Sequence, residues 1–149
     1  MRSKTSEWFE TKIKYDKVQE DGMEKSVIEA YTVDALSFTE AEAKITEEMS
    51  QYISGAFFIK SISRAPYSEV FFSDKETDDR WYRAKLAFIT IDERTGKEKR
   101  SITVYLIQAA SLDNAREYVN EVMSKTMIDY DIVSISETPL LDVFEHENQ

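Results

Sequence analysis

The two tryptophans, Trp8 and Trp81, lie at equivalent points of an internal repeat. Each is followed by an aromatic residue and, four positions on, by a lysine, Lys12 or Lys85. A spacing of 73 residues separates these pairs; it becomes 74 where residues 31–37 align with 105–111, and returns to 73 for 59–71 against 132–144. Seven of the 13 positions in that last stretch are identical. Matches that keep their order along the chain indicate a tandem duplication.

Each copy predicts two strands, a helix and a third strand. The first strands, 8–15 and 81–91, alternate with the period of two that is typical of a half-buried strand. Gly22 and Gly96 lie in polar turns that suit hairpin loops. The second strands, 26–34 and 101–109, are rich in Val, Ile, Tyr and Thr, which strands favour.

The helix of each copy follows capping residues. The first helix could begin with a capping box formed by Ser37 with Glu40 or by Thr39 with Glu42. The second helix could be capped by Ser111 or by Asp113. Apolar residues recur at helical spacing and form one predicted buried stripe per helix: Phe38, Ala41, Ile45 and Met49, then Leu112, Ala115, Val119 and Met123. Third strands at 57–63 and 132–136 follow. Short apolar segments after Pro66 and Pro139, 69–72 and 141–144, predict fourth strands or sheet edges.

These elements predict an α+β protein built from a duplicated β-β-α-β(-β) unit, mainly antiparallel, with one helix per repeat. The repeats span 1–73 and 81–144, with a polar connector at 74–80 and a polar tail at 145–149. About 70 residues make a marginal core. We therefore expect the two copies to pack about a pseudo-twofold axis as one compact domain.

Composition limits the possible functions. A net charge of −10 opposes non-specific attraction to nucleic acid or to an anionic membrane. Apolar runs such as 104–110 are too short to span a bilayer, and the start of the chain does not resemble a signal region. With no cysteine, thiol catalysis and zinc–thiolate sites are excluded. We expect a cytoplasmic protein with no membrane partner.

The sequence shows no pattern typical of a catalytic site. The only histidine, His146, falls in the polar tail and is expected to be solvated. Adjacent acids such as Asp78-Asp79 lie in predicted turns, so metal-assisted hydrolysis is a minor alternative. We therefore predict a protein that is not an enzyme, with no catalytic residues, metal ligands or cofactor.

The first strands offer a candidate binding surface. Phe9, Thr11, Ile13 and Tyr15 should face the helix, which leaves basic residues in line with each tryptophan on the other side. The candidate nucleic-acid-binding residues are Trp8, Lys12, Lys14, Trp81, Arg83 and Lys85. Indole rings can stack on bases while cations meet phosphates. In the alternative interpretation, which the acidic charge favours, each tryptophan is buried where repeats or dimer partners meet.

Three stretches of the chain resemble a known family: 31–43 (YTVDALSFTEAEA), 67–71 (YSEVF) and 92–99 (DERTGKEK). They are similar to an uncharacterised domain-of-unknown-function family of gut Bacteroidetes and their phages, and the resemblance covers nearly the whole chain. The family offers no established activity or site residues. A phage or mobile-element origin would imply a replication accessory or an inhibitor of host defence.

The leading hypothesis is a non-enzymatic binding protein, a single-stranded nucleic-acid-associated accessory. The alternative is an acidic module that binds another protein, such as an inhibitor of a nucleic-acid-binding or defence protein of the host. A carboxylate-dependent enzyme is the third possibility. The chain would act as a monomer or a homodimer, since free strand edges can pair between chains.

Overall fold

The computed structural model describes residues 1–146. In chain order the elements are β1 (Arg2–Lys4), β2 (Trp8–Val18), β3 (Glu24–Asp34), α1 (Phe38–Tyr52), β4 (Phe57–Arg64), β5 (Glu69–Phe72), β6 (Arg80–Ile91), β7 (Glu98–Ala109), α2 (Leu112–Ser124), β8 (Asp129–Glu137) and β9 (Leu140–Phe144). The predicted α+β class is confirmed. These strands form two mostly antiparallel sheets, each with one helix. Among the described residues, no helix is long and apolar enough to cross a membrane.

The chain divides into two compact units. The Trp8 unit comprises residues 6–66 and the described residues from 139 onward, and its sheet has the order β4-β2-β3-β9. The Trp81 unit comprises residues 1–5 and 67–138, and its sheet has the order β1-β5-β7-β6-β8. In each unit the long central hairpin is antiparallel, β2 with β3 or β6 with β7.

The last strand of each sequence repeat completes the sheet of the other repeat. β5 ends repeat one but pairs parallel to β7, with Val70 opposite Leu106. β9 ends repeat two but pairs parallel to β3, with Val143 opposite Thr32. The segments predicted as fourth strands or edges are therefore strands, and they are exchanged. The ranges 1–73 and 81–144 describe the sequence copies, whereas the compact units cross those boundaries.

Equivalent residues of the two repeats occupy equivalent places in the sheets. The register between β2 and β4 shifts at Lys12/Ile13, and that between β6 and β8 shifts at Lys85/Leu86, the same point of the repeat. The carbonyl of Trp8 accepts from the N–H of Ala65 at 2.8 Å, and that of Trp81 from Thr138 at 2.9 Å. This equivalence supports the duplication inferred from the sequence.

The two helices start in equivalent ways, and in each helix the N-cap is the serine of the two predicted candidates. The hydroxyl of Ser37 accepts from the N–H of Glu40, and that of Ser111 accepts from the N–H of Asn114, both at 3.1 Å. The side-chain oxygens of Glu40 and Asn114 in turn accept from the backbone N–H groups of Leu36 and Ala110. Both helices therefore begin with reciprocal capping at the serine, and not at Thr39 or Asp113.

The predicted apolar stripes are buried against the sheets, except at their first positions. The buried members are Ala41, Ile45 and Met49 of α1, and Ala115, Val119 and Met123 of α2. Phe38 and Leu112 were expected in the stripes but are 47% and 51% exposed. They are the first residue of each helix.

Candidate nucleic-acid interface

The predicted alternation of the first strand is confirmed in the Trp8 unit. Phe9, Thr11 and Ile13 are fully buried, and Phe9 and Ile13 pack with residues of α1. Lys12 and Lys14 are exposed and lie on the other side of the sheet. We call the side of each sheet that faces away from its own helix the outer face.

Both tryptophans lie on the outer faces, but each is only 2% exposed. In the Trp81 unit, the exchanged strand β5 brings large apolar residues beside the indole: Phe72 packs edge-on against Trp81 with ring centroids 5.6 Å apart. Val70 and Leu106, paired on the same outer face, are fully buried. A base cannot stack on either indole as it stands, so the expectation of two tryptophan stacking platforms is not supported.

The predicted cations differ in how accessible they are. Lys12, Lys14 and Lys85 are exposed. Arg83 is half-buried, with its guanidinium 5.5 Å from the ring centroid of Tyr67 and its Nη2 3.4 Å from the Tyr67 hydroxyl. Arg83 is therefore held against Tyr67, and three of the six predicted residues remain available to a ligand.

An exposed aromatic ring that the sequence analysis missed lies beside these lysines. Phe58 of β4 is 70% exposed and stands opposite Lys14, whose other neighbour across the hairpin is Ile28. Lys12 is flanked in the same way by Ser61 and Ala30. The register shift at Lys12/Ile13 leaves Lys60 as an extra residue in β4, so Phe58 and Ser61 share the outer face although they are three positions apart. Strict alternation would have separated them.

Four exposed positions of the outer faces are identical in the two repeats. In the Trp8 unit they are Lys12, Ile28, Ser61 and Ser63; in the Trp81 unit they are Lys85, Ile102, Ser134 and Ser136. We call each set a matched patch. Exposed positions usually tolerate substitution with little change in stability. These exposed identities on the outer faces mark a candidate shared surface, which the repeat alignment combined with the strand register would have revealed.

The two outer faces are not equal beyond the matched patches. The position of Phe58 is taken in the Trp81 unit by Asp131, whose carboxylate lies 2.9 Å from Nη2 of Arg100. An exposed phenyl ring next to two lysines is therefore a property of the Trp8 unit.

His146 was expected to be a solvated tail residue, and this is wrong. Its backbone N–H donates to the carboxylate of Asp34 at 3.0 Å, and its ring Nδ1 also lies 3.0 Å from Oδ1 of Asp34. Its Nε2 lies 3.4 Å from Oε1 of Glu48. Asp34 is only 3% exposed, and a buried carboxylate needs donors, which His146 supplies. Residues 147–149 of the predicted tail lie outside the described part.

The surroundings of Asp34 favour anchoring over catalysis. Lys44 donates to the Asp34 carbonyl at 2.9 Å, and its Nζ lies 3.7 Å from the carboxylate. At the equivalent point of the Trp81 unit, the neutral side chain of Gln108 accepts from the N–H of Ser73 at 2.9 Å. An amide oxygen thus accepts the equivalent backbone hydrogen bond in the Trp81 unit. Among residues 1–146, no group of three His, Asp or Glu is placed to hold a metal ion.

Two tyrosines converge on one carboxylate in the Trp8 unit. The hydroxyls of Tyr15 and Tyr31 donate to Oε1 of Glu29 at 2.7 and 3.2 Å. Burial, together with the adjacent Glu29, raises the pKa of Tyr15 to about 12 and raises the pKa of Tyr31 as well. Both hydroxyls are therefore neutral donors near pH 7, which suits structural hydrogen bonds.

Comparison with known proteins gives a family but no activity. No curated protein and no solved structure significantly matches the chain. Residues 7–146 match the family described as a domain of unknown function, DUF4494. The match covers all of β2 to β9 and both matched patches. The chain belongs to this DUF4494 family.

Proposed function

We propose that this chain is a non-catalytic binding protein that recognises single-stranded nucleic acid through the outer faces of its sheets. The observation that carries the proposal is the pair of matched patches, with Phe58 exposed beside Lys14 next to the patch of the Trp8 unit. A cytoplasmic setting and a phage or mobile-element origin belong to the same proposal.

The chemistry of the patches suits a phosphate backbone. In each patch a lysine stands directly across the strand register from a serine, Lys12 from Ser61 and Lys85 from Ser134. Neighbouring strands lie about 4.8 Å apart, so an ammonium and a hydroxyl could contact the same phosphate group. Phe58 would add a stacking surface next to the backbone contacts, worth about 1–3 kcal/mol per base.

The acidic charge of the chain predicts weak, salt-sensitive binding. Exposed carboxylates such as Glu42 and Glu47 lie on α1, which covers the opposite side of the sheet from Lys12 and Lys14. Salt screens charges beyond roughly 8–10 Å, so the local lysines can act despite the net charge. Few phosphate contacts are available, and we therefore expect measurable binding only at low ionic strength.

Fluorescence anisotropy of a labelled oligothymidylate tests the proposal. The variant K12A/K85A should weaken binding roughly tenfold at low salt and reduce the slope of log K against log salt by about 1.4, because two contacts to a single strand are lost.

The matched control is K25A/K99A. Lys25 and Lys99 are also identical in the two repeats and exposed, but they pair with Lys17 and Thr90 on the helix side of the strands. This variant removes the same charge and should bind like the unmodified chain. Equal losses in both variants, or no binding at low salt, would contradict the proposal.

A second candidate function is an acidic module that binds a nucleic-acid-binding or defence protein. The exposed carboxylates of the helices favour it: Glu42 and Glu47 on α1, Glu117 and Glu121 on α2, with no basic residue in the last turn of either helix. Such a surface can imitate the charge of phosphates. Capture of one stoichiometric protein that survives nuclease treatment, and is lost in E47K/E121K, would support this candidate over the first.

A further inference from the structure

The helix side of the Trp81 unit contains a cleft that the proposed nucleic-acid interface does not use. It lies between α2 and β8, has a volume of about 340 Å³, and is lined by Leu112, Asp113, Arg116, Ile132 and Ile135. Its size is at the lower end of the range of small-ligand sites. Three of its five lining side chains are apolar, and the other two form an ion pair, with Nη2 of Arg116 3.3 Å from Oδ1 of Asp113.

The Trp8 unit shows which side chain the other repeat has at the position of Leu112. In the Trp8 unit the residue equivalent to Leu112 is Phe38. Its ring packs edge-on against Phe9 at a centroid distance of 5.1 Å. The guanidinium of Arg64 lies 5.3 Å from the Phe38 centroid and 5.2 Å from that of Phe9. At the start of α1, the chain's own phenyl ring is therefore seated between an aromatic residue and a cation.

The Trp81 unit lacks the phenyl ring of Phe38 and the guanidinium of Arg64, although Tyr82 stands at the position of Phe9. Leu112 is smaller than a phenylalanine and is 51% exposed. Glu137 takes the position of Arg64 and lies 3.8 Å from Nε of Arg80. The cation at the cleft is instead Arg116, which replaces Glu42 of the first repeat. A ring bound against Ile132 and Ile135 would again have a guanidinium within reach, and cation–π contacts of this kind are favourable.

We propose that this cleft binds the phenyl ring of a phenylalanine side chain presented by a protein partner. The internal repeat supplies the argument for this occupant, because the equivalent position in the Trp8 unit holds a phenylalanine from the chain itself. The partner's ring would supply the phenyl group that the chain itself has at Phe38 but lacks at Leu112. This inference stands apart from the proposed nucleic-acid interface, because it concerns the helix side of the Trp81 unit and not an outer face.

Methyl-resolved NMR titration of the full chain tests the inference. The probe is N-acetyl-L-phenylalanine methylamide, and the readout is the set of methyl signals of Leu112, Ile132 and Ile135. A single capped residue should bind with a millimolar dissociation constant, and its saturable shifts should be confined to these signals. N-acetyl-L-alanine methylamide should cause none, because it has no ring.

Two variants complete the test. Leu112→Phe places a ring at the edge of the cleft, at the position that Phe38 occupies in the other unit, and should weaken binding at least tenfold. Leu141→Phe makes the same substitution at another exposed leucine, 53% exposed on β9 of the Trp8 unit, and should bind the probe normally. Absence of saturable shifts in the unmodified chain would overturn the inference whether or not the variants fold. Unweakened binding to a folded L112F variant, or preference for adenosine over the phenylalanine probe, would also overturn it.

Discussion

The backbone N–H of His146 donates a hydrogen bond of 3.0 Å to the buried carboxylate of Asp34. His146 is the second residue after β9 and Asp34 is the last residue of β3, so this bond holds the end of β9 to the end of β3. The N–H of Ser73, the residue that follows β5, donates the equivalent hydrogen bond of 2.9 Å to the side chain of Gln108 near the end of β7. Each exchanged strand is therefore secured at the same point. The Trp8 unit uses a charged acceptor where the Trp81 unit uses a neutral one.

Replacing Asp34 should destabilise the protein. Asp34→Ala removes the acceptor for the backbone N–H and the ring of His146 and the ion pair with Lys44, whose hydrogen bond to the Asp34 carbonyl stays. We expect the free energy of unfolding to fall by about 3 kcal/mol. Asp34→Asn should cost less, since Gln108 shows that an amide oxygen can accept this bond.

Urea denaturation followed by circular dichroism measures both changes. The control is Asp131→Ala, which removes an exposed carboxylate paired with Arg100 and should cost about 0.5 kcal/mol. A loss for Asp34→Ala no larger than this control would show that the anchor does not matter for stability.

In an alkaline titration, the hydroxyl of Tyr15 should lose its proton at a higher pH than the hydroxyl of a free tyrosine. Its pKa is raised from 10.0 to about 12, first by burial and then by Glu29, so the folded chain holds the phenolic proton more tightly than the unfolded chain. Stability from this group is fully present below pH 10 and is lost as the pH rises from 10 towards 12. Absorbance at 295 nm against pH follows the ionisation.

The variant Glu29→Gln should lower the pKa of both Tyr15 and Tyr31, because it removes the carboxylate that accepts from both hydroxyls. Glu24→Gln, at an exposed position in the same strand, should leave the titration unchanged. A titration of E29Q that matches the unmodified chain would contradict the assignment.

The hairpin glycines should be sensitive to substitution because of their backbone angles. Gly22 and Gly96 have φ angles of 82° and 70°, and an added Cβ would meet no atom within 4 Å. The cost of Gly22→Ala or Gly96→Ala is therefore conformational, about 1 kcal/mol each. Gly55→Ala, also in open space but without a positive φ, should be neutral or slightly stabilising in thermal unfolding. Equal effects at all three positions would contradict this reasoning.

The parts of the fold that local patterns determine could be predicted from the sequence. The alternation of β2 and the apolar spacing of each helix after its first residue depend on neighbours within a few residues, and the structure confirms them. It also selects the serine from the two caps predicted for each helix. The repeat could be read because its matches keep their order along the chain.

The exchange of β5 and β9 could not be predicted. The two segments share Val70 with Val143 and Phe71 with Phe144, so either could complete either sheet, and no local pattern chooses between them. The burial of Trp81 follows in part from the exchange, because β5 brings Phe72 against its indole. Phe58 was missed because a one-residue register shift reverses the alternation of β4.

Disulfide trapping tests the strand exchange most directly, and the chain has no cysteine of its own. Thr32 of β3 pairs with Val143 of β9, and Val70 of β5 pairs with Leu106. If each repeat kept its own last strand, Val70 would instead pair with Thr32. The variants T32C/V143C and T32C/V70C would be oxidised as monomers and analysed by mass spectrometry after proteolysis. The exchange predicts an intramolecular disulfide in T32C/V143C and none in T32C/V70C, and the reverse pattern would contradict it.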